Sequence, residues 1–296
     1  MFFLKKAVNR PADIYSLALK TTTMEQLTAV NSELLSKLEM NPAEEFWFDG
    51  AAGEKVQGFL VKPPFFDPSK KYPLVMLIHG GPQNAWSDNF HFRWNAQMFA
   101  SPGYVVAMVN FHGSTGFGQL FTDSISGDWG GKPFEDIMLG LDYLLSRYDF
   151  IDKSRLAAAG ASYGGYMIDW IEGHTDRFKC LISHSGVFDL RSMYGASDEL
   201  WFPEWDFRGT PWSNKESYEK WSPSSYVKIL RLLVWLSMDR MTSEFLSPRD
   251  FSSSRLCKGR EFRQGCSIFP MKTILSRSRK TQSFGGEPCL TGWIDI

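Results

Sequence analysis

A chain of 296 residues, 43% hydrophobic and 22% charged, has the composition of a globular protein with room for one large domain. Its formal net charge of −1 gives no electrostatic reason to expect nucleic acid or an anionic membrane as partner, and no apolar stretch is long enough to cross a bilayer. The start, "MFFLKKAVNRP", lacks the apolar region and cleavage site of a signal peptide. With 24 Phe and 11 Trp the chain can bury a substantial core. Its cysteines, Cys180, Cys257, Cys266 and Cys289, have no metal-type spacing and read as free thiols, so no metal or cofactor is expected.

The opening stretch "RPADIYSLALKTTTMEQLTAVN" alternates like a strand, turns, and ends in a polar segment. It is too short to form a core and reads as the end of a larger unit. A strand pair follows in "EEFWFDGAAGEKVQGFLVKP", two apolar runs joined by a Gly-containing turn. From Tyr72 the rhythm changes. "YPLVMLIHGGP" is a continuous apolar run, as expected of a strand buried on both faces. "WNAQMFA" predicts a helix and "GYVVAMVNFHG" a second buried strand. "PFEDIMLGLDYLLSRY" has Pro at a first helical position and places Ile137, Leu141, Leu144 and Leu145 on one helical face. "RLAAAGAS", "YGGYMIDWIEGH" and "FKCLISHSG" continue as strand, helix and strand. This alternation predicts an α/β fold with a mostly parallel sheet and right-handed crossovers. After Val227 only one apolar run remains, followed by scattered Ser and Arg without sustained period.

Within this pattern Gly160-Ala161-Ser162-Tyr163-Gly164 fits G-x-S-x-G, the sharp strand-to-helix turn that exposes a nucleophilic serine. Small residues are needed because strand and helix approach closely there, which assigns Gly160 and Gly164 to the elbow. The N–H of Tyr163, at the start of the following helix, points toward a developing oxyanion. "HGGP", His79 to Pro82, ends an earlier strand and leaves a backbone N–H free to complete an oxyanion hole, with Gly81 as the donor.

These segments, the run "LIHGGPQNAWSDNFHFRWNAQMFASPGYVVAMVNFHGSTGFGQLF" before "GASYGGYM", and "SMYGASDELWFPEWDFRGTPW" after it, resemble the prolyl-oligopeptidase family of serine peptidases, in its acylaminoacyl-peptidase and dipeptidyl-peptidase V branch. The resemblance covers residues 40 to 228. It implies an α/β-hydrolase catalytic domain over residues 41–227, a remnant of the last β-propeller blade over residues 1–40, and an aberrant tail over residues 228–296. It further implies a peptide substrate, attack by Ser162 on its carbonyl, oxyanion donors at Tyr163 and Gly81, and an acyl-enzyme resolved by water with no cofactor.

In this fold the triad runs Ser, Asp, His. The five histidines are His79, His91, His112, His174 and His184, and none follows His184. His79 belongs to the oxyanion loop, and the others precede Ser162 or follow it too closely, so each is expected to be structural or at the surface. A frame displaced by one base near Lys228 would account for the missing base. Read in that frame, "KILRLLVWLSMDRMTSEFLSP" can encode a family-like strand followed by its Asp. Met238 before Asp239 then forces Gly, Met241 before Thr242 an acidic residue, and Met271 before Lys272 Glu, as the family pattern requires. Read as written, the tail leaves the sheet incomplete at its C-terminal strands, with "FKCLISHSG" an unpaired edge. The expected protein is a serine peptidase by descent, weakly active or inactive in this chain. The alternatives are an esterase of the same fold and a catalytically dead binding protein.

Overall fold

The central strand of the molecule is built from the run "YPLVMLI". In the computed structural model, which describes residues 1–226 and the backbone of residues 234–237, it forms β6 (Tyr72–Ile78). Pro73 through Ile78 are all buried, because alternate side chains face two different cores. Leu74, Met76 and Ile78 belong to one apolar cluster, and Val75 and Leu77 to another.

The remaining strands are β1 (Phe2–Ala7), β2 (Arg10–Ala18), β3 (Thr23–Gln26), β4 (Ala43–Asp49), β5 (Lys55–Val61), β7 (Val105–Asn110), β8 (Ile151–Ala161), β9 (Cys180–His184) and β10 (Val234–Ser237). The helices are α1 (Ser32–Leu35), α2 (Ala96–Ala100), α3 (Gln119–Asp123), α4 (Lys132–Arg147), α5 (Tyr163–His174), α6 (Leu190–Ala196), α7 (Trp201–Asp206) and α8 (Lys215–Trp221). Among the described residues seven strands form one sheet in the order β10-β9-β8-β6-β7-β5-β4. From β7 to β10 neighbours pair in parallel, while β5 is antiparallel to both β7 and β4. The sheet is therefore mixed, parallel where helices supply the crossovers and antiparallel where the predicted β4–β5 hairpin joins it.

Helix α4 buries Ile137, Leu141 and Leu144 against one face, and Leu145 packs partly buried beside them. Helix α5 buries every residue from Tyr163 to Gly173, the polar Asp169 and Glu172 included. On the other face α2 contributes Ala96 and Ala100. Strands β1 to β3 form a separate antiparallel sheet. Its link to the larger body includes buried Val8, whose side chain joins the α2-side core and whose N–H donates to Asp88 Oδ1 at 2.6 Å.

The structure corrects one expectation. Strand β9 is not an edge, because β10 pairs with it in parallel, from Val234↔Leu181 to Ser237↔His184. The physical reason is compositional: Val234-Trp235-Leu236 is apolar and rich in strand-forming residues, whatever the reading frame that produced it. Apart from this strand, the tail, with Cys257, Cys266 and Cys289, lies outside the described residues. Cys180 is buried at the start of β9. No helix among the described residues is long and apolar enough to cross a membrane.

Candidate active site

The C-terminal ends of β6 and β8 meet at the start of α5, and Ser162 stands in that junction. It is exposed, with φ 58° and ψ −118°. A left-handed φ on a non-glycine residue costs on the order of 1–3 kcal/mol and persists only where surrounding contacts enforce it. Here Ser162 N–H donates to the His184 carbonyl at 3.0 Å, tying the turn to the end of β9, and Tyr166 N–H donates to the Ser162 carbonyl at 2.9 Å to begin the helix.

The flanking glycines allow this approach. A Cβ on Gly164 would lie 2.2 Å from the Ile78 carbonyl oxygen, and one on Gly160 would lie 2.4 Å from that of Gly164. Gly80 faces the serine from the other strand, where a Cβ would come within 3.3 Å of Ser162 Cβ. Gly81, with φ 130°, turns the chain away from β6. Tyr163 is the first residue of α5, so its N–H is among the first-turn donors that lack an intrahelical acceptor. Its ring is buried, and its hydroxyl donates to the Trp129 carbonyl at 2.6 Å. Burial raises the phenol pKa well above the usual tyrosine range, so the group remains a neutral donor.

The histidines are engaged elsewhere. His79 is buried and stacked on Phe111, with Nδ1 2.9 Å from the Gly80 carbonyl and Nε2 2.9 Å from Ser114 Oγ. Burial lowers its pKa to about 4, which leaves it neutral at pH 7 and suited to bracing the glycine loop. His91 Nδ1 accepts from the N–H groups of Arg93 and Trp94. His112 pairs with Asp136, and His174 Nδ1 lies 2.7 Å from the Trp170 carbonyl. His184 is buried, with its ring against Trp94. Beside the elbow a cavity of about 330 Å³ is lined by His79, Gly80, Trp86, His91, Trp94 and Ala161 among others. Among the described residues no cluster of three His, Cys, Asp or Glu side chains could hold a metal.

Three residues of this neighbourhood escaped the sequence pattern. Gln83 follows the HGGP loop directly, Trp129 precedes α4, and Asp206 ends α7. Asp206 is fully buried, accepting from Trp129 Nε1 at 2.8 Å and from Gln83 Nε2 at 3.1 Å. Its one local signal was an acidic residue set inside the aromatic run "WFPEWDF".

A mixed sheet with helices on both faces, and a strained serine between a parallel strand and a helix, defines the α/β-hydrolase class. The chain belongs to the prolyl oligopeptidase family, whose model matches residues 90–240. Dipeptidyl-peptidase 5 of Schizosaccharomyces pombe is 49% identical over 186 residues, covering 62% of this chain and 27% of the relative. Among solved structures, an acylaminoacyl peptidase in complex with Z-Gly-Gly-Phe-chloromethyl ketone is 27% identical with a TM-score of 0.79, over 87% of this chain and 41% of that one. The acylaminoacyl peptidase of Pyrococcus horikoshii is 28% identical with a TM-score of 0.77, over the same shares. The chain spans about a quarter of the length of the curated relatives it matches.

Proposed function

We propose that this chain carries the nucleophile and oxyanion half of a serine peptidase acting on short peptides, of the dipeptidyl-peptidase kind. The observation that carries the reading is the exposed, left-handed Ser162 at the N-terminus of α5, faced closely by Gly80, where an added Cβ would come within 3.3 Å of the serine Cβ. In this reading Ser162 Oγ attacks the scissile carbonyl, and the N–H groups of Tyr163 and Gly81 receive the negative charge on its oxygen. The acyl group transfers to Ser162, the amine departs, and water regenerates the serine.

In this reading residues 41–227 are the catalytic unit, and residues 1–40 correspond to the last blade of a β-propeller. The exposed Trp201 and Trp205 of α7 offer apolar surface suited to peptide side chains. Two similar proteins support the substrate class: a dipeptidyl-peptidase, and an acylaminoacyl peptidase in complex with Z-Gly-Gly-Phe-chloromethyl ketone.

The triad Asp and His are the displaced-frame products of the codons after Lys228, so this chain as translated turns over peptides poorly or not at all. In subtilisin-type sites loss of the histidine lowers kcat by about 10⁶. A dipeptidyl chromogenic substrate is therefore expected to show no Ser162-dependent hydrolysis with this chain. A single-base correction near codon 228 is expected to produce turnover that Ser162→Ala abolishes. If the corrected chain stays silent, or if its turnover survives Ser162→Ala, the assignment of Ser162 fails. Sequencing the coding DNA is expected to find an A-rich run near that codon, with one base fewer than in independent clones. An identical tail in every clone would overturn the displaced frame.

A further inference from the structure

Two oxyanion donors on different loops work only if their spacing is held, and in this fold one buried side chain connects to both. Asp206 Oδ1 accepts from Gln83 Nε2 at 3.1 Å, and Gln83 is two residues beyond Gly81. Asp206 Oδ2 accepts from Trp129 Nε1 at 2.8 Å. The Trp129 carbonyl in turn accepts from the Tyr163 hydroxyl at 2.6 Å, and the Trp129 and Tyr163 rings meet edge to face with centroids 5.1 Å apart. The glycine loop, the segment leading into α4, the α5 helix start and α7 thus share one chain of hydrogen bonds, closed against Phe207, whose ring centroid lies 4.7 Å from that of Trp129.

We propose that Asp206 is a positioning residue of the oxyanion hole, holding the Gly81 loop through Gln83 and the Tyr163 helix start through Trp129. The proposal rests on the reading of Ser162, Tyr163 and Gly81 given above.

The chemistry of the pair of bonds favours this role over simple core filling. Both partners are donors, and an ionised carboxylate is the side chain that only accepts. An apolar residue would fill the same buried volume without the cost of desolvating a charge. What the carboxylate adds is a hold on Gln83, a partly exposed residue that packing alone does not fix. Burial pushes the Asp206 carboxyl up to about 7, against the lowering effect of the Trp129 and Gln83 hydrogen bonds. The other titratable groups acting on this core are acids: Tyr166, Asp128 and Asp136 act with Asp206 on Tyr163, and Glu204 and Tyr194 act with it on Tyr218. Arg208, on the turn after α7, directs Nη2 to the Ser126 carbonyl. Below the Asp206 midpoint one carboxyl oxygen carries a proton and faces a donor, so the hold on the loop weakens. Above it both oxygens accept, and the loop is fixed.

The test follows the Trp129 indole N–H and the Gly81 backbone N–H by NMR in the intact chain, with Trp129→Phe identifying the indole. Both resonances are expected to titrate together, with a midpoint near 7. In Gln83→Ala the indole is expected to keep that titration while Gly81 loses it. In Asp206→Asn both become flat, and Asp206→Glu restores the shared titration. A Gly81 resonance that ignores the Asp206 midpoint in the parent chain, or that still follows it in Gln83→Ala, overturns the proposal. None of these readings needs turnover. Failure of the corrected chain to hydrolyse peptides would therefore remove the Ser162 reading alone, and a flat Gly81 would remove the tether with Ser162 untouched.

Discussion

Gly164→Ala is expected to destabilise the protein by about 3 kcal/mol or more, near or beyond the upper end of what overpacking costs. The new methyl group would lie 2.2 Å from the Ile78 carbonyl oxygen, 3.0 Å from its carbon and 3.1 Å from the His79 oxygen. All three are backbone atoms at the end of β6, so no rotamer change relieves the contact. Relief requires α5 to slide away from the sheet, and α5 is buried along nearly its whole length. That movement would also carry the Tyr163 N–H away from the glycine loop. Urea denaturation followed by circular dichroism measures the loss, and Gly195→Ala supplies the control. Gly195 lies in α6, where a methyl group would have no neighbour within 4 Å, so alanine there is expected to be neutral or stabilising by up to about 1 kcal/mol. Equal stability of the two variants would refute the close-approach argument.

Asp136→Ala is expected to cost about 3–5 kcal/mol, the range for removing one partner of a buried ion pair. Asp136 is fully buried on α4, where Oδ2 accepts from both the backbone N–H and Nδ1 of His112 at 2.6 Å. Oδ1 accepts from the Ala51 N–H at 2.8 Å, in the turn between β4 and β5. One carboxylate therefore joins the end of β7, the first half of α4 and the antiparallel hairpin. Burial alone would lower the His112 pKa, but the hydrogen bond and charge of Asp136, with Glu54 Oε1 3.6 Å from Nε2, raise it above 6.5. A histidine raised in this way contributes stability that is fully present below its unfolded value and is lost as the pH rises through its folded value. The Asp136→Ala penalty is accordingly expected to be largest below pH 6.5 and to shrink as the pH rises through the folded His112 value. A penalty under about 1 kcal/mol, or one that grows with pH, would show that the cluster does not bear this load.

These two predictions separate what local patterning carries from what it cannot. The strand-to-helix turn at Ser162 was legible because its requirements are local: β8, Ser162 and α5 are consecutive, and the close approach demands small residues at fixed spacing from the serine. The buried strands β6 and β7 were legible for a related reason, since burial on both faces leaves an unbroken apolar run. The Asp136 cluster left no such trace, because its partners lie 24 and 85 positions away.

The α/β class, the hairpin, the four central strands, the helices α4 and α5, and the glycine-flanked serine all follow from residues read in order, since periodicity and turn chemistry act over a few positions. The tertiary structure decided the rest. It placed a short apolar strand beside β9 where an open edge was expected, because backbone pairing asks for extended apolar residues and tolerates many sequences that supply them. It also brought Gln83 and Trp129 onto one carboxylate from 123 and 77 residues away. Hydrogen bonds between side chains so far apart impose no period on the sequence, and only the folded chain brings their atoms within reach.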